Sequence, residues 1–172
     1  MKLAPALISA ALALVAASAQ AAAKVELSFL TPDKYTDVGD GLRQENDNIK
    51  AIGDYVTQVG EKTLSDGQTL TIAFTDIDLA GRPNLMHREA GDYRIMTGQA
   101  DWPRMRLHWV LQTPGVPDRS GDAELADMNY LWGIRPVGSD QPLYYDKRMF
   151  DRWFVKTFHV GKATPRGVVP AP

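Results

Sequence analysis

The chain has 172 residues, no cysteine, a formal net charge of -2 and a hydrophobic fraction of 44%. That length fits one domain with a core of its own. The mildly acidic balance argues against a general nucleic-acid binder, and the lack of cysteine excludes disulfides, thiol nucleophiles and cysteine-held metal.

Residues 1–23 read as a secretory signal peptide. Lys2 supplies a basic start, Leu7 to Ala17 an apolar run, and Ala19-Gln20-Ala21 or Ala21-Ala22-Ala23 a small-x-small cleavage site. The run is too short for a membrane anchor, no cysteine follows it for a lipid, and no later segment reaches the roughly 20 apolar residues of a membrane span. Cleavage removes Lys2 and no acid, so the mature chain is one unit more negative. The expected location is the bacterial periplasm or the medium. Without disulfides, stability there must come from the core or from a partner.

Residues 24–160 are expected to form one globular domain. Lys24–Leu30 alternates Val25, Leu27 and Phe29 with Glu26 and Ser28, which predicts a first strand. Residues 33–41 hold Asp33, Asp37, Asp40 and two glycines. A calcium loop is one reading; turns and helix capping, with Asp40 as N-cap, are preferred, since Asp and Gly are the usual residues there. Leu42 to Leu64 has helical spacing in Leu42, Ile49, Ile52, Val56 and Val59. Gly53 weakens its middle and offers a strand close approach. Ser65-Asp66-Gly67 then turns the chain, and the helical crossover permits a parallel pairing of the flanking strands.

Thr69–Gly81, TLTIAFTDIDLAG, is the clearest strand. Leu70, Ile72 and Phe74 share one face, but strict alternation would put Asp76 and Asp78 on it too. Either a bulge near Thr75 swaps the faces, or the strand overruns the core and the aspartates line its rim. Burying both carboxylates without partners would cost several kcal/mol or force protonation.

Arg82-Pro83-Asn84 is a stop signal, followed by an irregular stretch to residue 92. Tyr93–Thr97 is a short strand candidate. Arg104–Thr113 alternates Met105, Leu107, Trp109 and Leu111 with a polar, basic face. Thr113–Gly121 is dense in turn formers. Asp122–Trp132 suits a helix by composition, but the hairpin-like loop before it and Tyr130-Leu131-Trp132 favour a returning strand. Gly133 to Pro142 reads as loop. Residues 144–158 form a second helix. Its stripe of Tyr145, Met149, Phe150, Trp153, Phe154 and Phe158 reads as core packing in preference to a ligand-binding aromatic box. Residues 161–172, rich in proline, are expected to be a disordered tail. The sum is a two-layer α/β (α+β) sandwich, a mixed sheet of about four strands with two helices on one face, in the order β-α-β-β-β-α.

The sequence carries few signatures of catalytic or metal chemistry. Counted from Asp76, an EF-hand needs an oxygen ligand at its fifth position and a glutamate at its twelfth; Ala80 and His87 stand there. His87, His108 and His159 are far apart, and no serine sits in a nucleophile elbow. No cofactor signature is present, and no catalytic or metal set is identified. What remains is a candidate polar network or ligand site of Asp76, Asp78, Arg94, Arg106 and Asp127. Arginine forks from Arg94, Arg106 or Arg135 are suited to pair the aspartates, with Asp127 and Asn129 as further members. Trp102, beside Arg104 and Arg106, offers a stacking surface, and the Arg104–His108 face offers a site for an acidic ligand.

The leader, the opening KVELSFLTPDKYTDV, the strand IAFTDIDLAG, the segment DYRIM and the late YYDKRMFDRWF resemble the bacterial domain of unknown function 3016 family across about Val25 to Phe158. The resemblance implies a small exported protein of Gram-negative bacteria and no particular activity. Arg94, after Asp92-Tyr93, matches the family's Arg-containing strand, which implies an Asp–Arg pairing. The expected function is a non-catalytic periplasmic binding or interaction module whose partner the sequence does not identify, another envelope protein being one candidate; a small hydrolase or metal-dependent enzyme using Asp76 and Asp78 is the alternative.

Overall fold

The computed structural model describes residues 21–84, 94–133 and 141–158. The expected leader up to residue 20, most of the irregular stretch before Arg94, the loop around Arg135 and the expected tail lie outside these residues.

Strand β1 (Lys24–Phe29) runs parallel to β2 (Thr69–Asp78), with Val25 opposite Leu70 and Phe29 opposite Phe74. Helix α1 (Leu42–Thr63) makes the crossover between them. Two residues, Arg82–Pro83 (β3), pair with Arg94–Ile95 (β4) in a separate small ladder. The main sheet continues with β5 (Arg104–Thr113), antiparallel to β2, and β6 (Val116–Ala126), antiparallel to β5. Its order is β1-β2-β5-β6. Helix α2 (Tyr144–Phe158) follows. This is the expected mixed four-stranded sheet with two helices on one face, an α+β sandwich.

The core lies between the layers. Leu70, Ile72 and Phe74 of β2, with Met105, Leu107, Trp109 and Leu111 of β5, meet Ile52 and Val56 of α1 and Met149, Phe150 and Phe154 of α2. Burying such side chains supplies about 1.5–3 kcal/mol each and is what selects the alternating strands and the helical stripes. The aromatic stripe of α2 is core: Phe158 packs edge-on against Trp109 with ring centres 5.1 Å apart.

Several expectations are corrected. Leu42 is 79% exposed, because it opens the helix beyond the edge of the core. Asp40 is not the N-cap of α1: Gly41 holds that position, and the Gln44 side chain accepts the Asp40 N–H. The close approach to β1 falls at Gly60, not Gly53. A Cβ on buried Gly60 would overlap Val25 Cγ2, whereas one on Gly53 would make ordinary contact with Phe29. The hairpin loop is only Pro114-Gly115, so most of the expected loop before residue 122 is already strand, and β6 ends at Ala126. Beyond it Asp127–Trp132 is turn, closed by Tyr130 N–H to Asp127 O and Trp132 N–H to Asn129 O. The first half of β6 faces water throughout, so burial imposes no alternation there.

Candidate functional site

The parity break in β2 is a bulge at Thr75. Phe74 stands opposite Leu107 and Asp76 opposite Arg106, so one residue of β2 has no counterpart on β5. Thr75 is exposed, and Ile77 and Leu79 take over the core face. The segment after β1 braces this irregularity. The Phe74 carbonyl accepts the Leu30 N–H at 2.9 Å and the Tyr35 hydroxyl at 3.1 Å. Beyond it, Asp37 N–H donates to Ile77 O and Leu79 N–H to Asp37 O. These bonds continue the pairing of β2 on the side away from β5, past the end of β1, and satisfy its backbone groups there.

The swap carries Asp76 and Asp78 to the outer face, each directly across from an arginine. Arg106 Nη2 lies 2.7 Å from Asp76 Oδ2, and Arg104 Nε 2.8 Å from Asp78 Oδ2. Asp76 also accepts the Thr36 N–H at 2.8 Å and the Thr36 hydroxyl at 3.0 Å. Partial burial pushes the Asp76 carboxyl up, but the Thr36 and Arg106 bonds outweigh it and the net shift is down. Asp78 moves the other way. Its burial, aided by Asp37 and Asp76 nearby, overcomes the bond from Arg104. The Arg104 guanidinium lies 5.2 Å over the Trp102 ring, so that tryptophan stacks within its own chain. His108, the next basic residue on this face, has Nδ1 2.8 Å from Asp122 Oδ1.

Arg94 pairs with neither Asp76 nor Asp78. Its guanidinium, 7% exposed, lies 2.6 Å from Asp37 Oδ2. It also donates to the carbonyls of Leu79, Ala80 and Gly81, at 3.2, 2.7 and 2.8 Å. One planar fork thus satisfies three successive carbonyls and a carboxylate. Asp146, in the first turn of α2 and 2% exposed, takes the Ala80 N–H at 3.0 Å. Burial raises its pKa to about 6, against the pull of the Ala80 N–H and Arg94 and with the push of Asp78. Gly81 completes this clamp with φ 75°, a value that favours glycine, and a Cβ there would meet the Ile95 carbonyl at 2.7 Å. The Leu-Ala-Gly end of the strand is therefore held from α2 on one side and β4 on the other.

Asp127 enters a different network. Its Oδ2 receives Arg148 at 3.1 Å and Arg152 at 2.9 Å, both from α2. Arg148 also donates to the Tyr130 carbonyl. Of the five residues singled out in the sequence, Asp76, Asp78 and Arg106 share the outer face, Arg94 reaches Asp78 only through Asp37, and Asp127 fastens α2 to the turn after β6. Sequence reasoning did not single out Asp37, Arg104 or Asp146 for these pairings. Among the described residues no group of three or more His, Asp or Glu side chains is arranged to hold a metal ion, and no helix is long and apolar enough to cross a membrane.

A two-layer α+β domain with a salt-bridged outer face and a clamped strand end is thus the class of protein that fold and site define. The family model for a protein of unknown function (DUF3016) matches residues 23–156, and the chain belongs to that family. No curated protein and no solved structure gives a match.

Proposed function

We propose that the chain is an exported, non-catalytic module that works by binding another protein of the cell envelope. The observation that carries this reading is the commitment of both strand-end aspartates to arginines across the sheet. A general acid or base must exchange its proton freely near the working pH, and a carboxylate that recruits a metal needs lone pairs free of a competing cation. Asp76 is tied by Thr36 and Arg106, and Asp78 by Arg104, so both behave as parts of the scaffold. The apolar leader supports export.

The test is capture in the native compartment. The tagged full chain is expressed in its own bacterium, cross-linked, and purified from the periplasmic fraction. The reading expects one envelope protein in constant stoichiometry, retained by an Asp76→Asn, Asp78→Asn variant that is still folded by circular dichroism. Hydrolysis of a model ester, phosphoester or glycoside by the wild type, lost in that folded variant, would establish the enzyme instead.

A further inference from the structure

We propose that the free edge of β6 is the binding surface, and that it takes up an extended segment of the partner, alternating basic and apolar residues, as an added strand. This rests on the reading of the chain as an interaction module. In the sheet order β1-β2-β5-β6, β6 is terminal, and among the described residues no strand pairs with its outer side. It spans Val116–Ala126, 11 residues, whereas the opposite edge strand β1 has 6. Proteins ordinarily shorten or cover such an edge, because alternate residues point unpaired N–H and C=O groups outward. Here Pro117 blunts only its beginning, and α2 touches it where Arg119 donates to the Thr157 carbonyl.

The side chains specify the occupant. On the outer face β6 carries Asp118, Asp122 and Glu124, facing Gln112, His108 and Arg106 of β5. The one permanent cation among those three neighbours, Arg106, is drawn to Asp76, and the Asp122 side chain is 91% exposed. Carboxylates are therefore in excess along the edge. Beside them a hollow of about 420 Å³, lined by Thr75, Arg106, Leu107, Asp122, Ala123 and Glu124, opens next to the bulge. On the inner face the edge presents Gly121 and Ala123, small residues above the Trp109 ring and the core. A strand added to β6 would place its outward residues about 5 Å from Asp122 and Glu124, where Lys or Arg complements them, and its inward residues over Gly121 and Ala123, where apolar side chains cover the core edge.

The test uses the isotope-labelled full chain and two synthetic peptides of about nine residues, one alternating Lys with Val and one alternating Glu with Val. The proposal expects the Lys peptide to shift the amide signals of Ser120–Leu125 and slow their hydrogen exchange. It expects that peptide to bind about tenfold or more tightly than the Glu peptide, and to weaken as salt is raised. In Asp122→Lys, Glu124→Lys, both exposed positions, the preference should invert in a chain that still folds by circular dichroism, with a modestly lower melting temperature because the lysines face His108 and Arg106. Equal binding of both peptides, shifts centred away from β6, or β6 amides already protected by a second copy or by residues 159–172 would overturn it. Capture of the same envelope partner by wild type and the double variant alike would overturn the β6 assignment alone; absence of any partner would overturn the binding reading beneath it.

Discussion

Phe74 and Asp76 stand two residues apart on one strand and point to opposite faces of the sheet. Phe74 is fully buried against Phe29, with ring centres 5.0 Å apart, and Asp76 lies outside, bonded to Thr36 and Arg106. The intervening Thr75 is the bulge. One inserted residue thus ends the lower core stripe, starts a new one at Ile77, and turns an acid that would have been buried into a cross-strand ion pair.

The buried carboxyl of Asp146 makes folding pH-dependent. Its folded pKa of about 6 lies above the ordinary 3.8, so the folded chain holds this proton more tightly than the unfolded one. Its contribution is therefore fully present below about pH 4 and is lost as pH rises to about 6, by roughly 3 kcal/mol. Asp78, Arg94 and the Ala80 N–H are the groups that face it. Asp146→Asn keeps an acceptor for Ala80 without a charge. Denaturant melts between pH 4 and 7 should show a flatter profile for the variant, which is also the more stable protein at pH 7. Parallel profiles for the two proteins would rule out Asp146 as the titrating group.

Arg94 is the hub of the clamp, and charge alone does not replace it. Arg94→Lys retains a cation but cannot span Asp37 and three carbonyls, so the loss should approach that of breaking a buried pair, roughly 3 kcal/mol. Amide exchange at Leu79 and Gly81 should rise more than at Leu70 in the sheet centre. A substitution tolerated within about 0.5 kcal/mol would show the clamp to be dispensable.

At Gly60 two effects oppose. Alanine gains about 1 kcal/mol in helix propensity, but its methyl overlaps Val25 and overpacking costs about 1–3 kcal/mol. Gly60→Ala is expected to destabilise the fold, and Val25→Ala in the same chain to recover part of the loss. Additive losses in the double variant would locate the strain elsewhere.

The elements that bury one face were legible in the sequence. β5 and α2 occupy the ranges that alternation and helical spacing indicate, because burial imposes those periods. The break at Asp76 was legible for the same reason, as a failure of the period. The first half of β6 was not, since all of Val116–Ser120 is exposed and Pro and Gly around it resemble loop. The clamp was hidden by distance: Arg94 and Asp37 are 57 residues apart, and Asp37 sits among turn formers. Asp146 gave no sign, because an acid in a first helical turn suits water equally well. Asp127 was noticed, but its partners on α2 follow only from how the helix docks.

Asp76 and Asp78 are proposed as parts of the scaffold, Asp76 stabilising the strand end through Thr36 and Arg106. The decisive measurement is thermal unfolding of Asp76→Asn and Asp78→Asn as single variants, read beside calorimetric titration of the wild type and of each variant with calcium and with zinc. Asp76→Asn should lower the melting temperature by roughly 3 °C or more, part of that loss disappearing in high salt, whereas Asp78→Asn, which removes a charge that burial already disfavours, should lower it less; the wild type should show no saturable metal binding. An unchanged melting temperature in Asp76→Asn, together with metal binding by the wild type that this variant has lost, would make the carboxylate a working group instead.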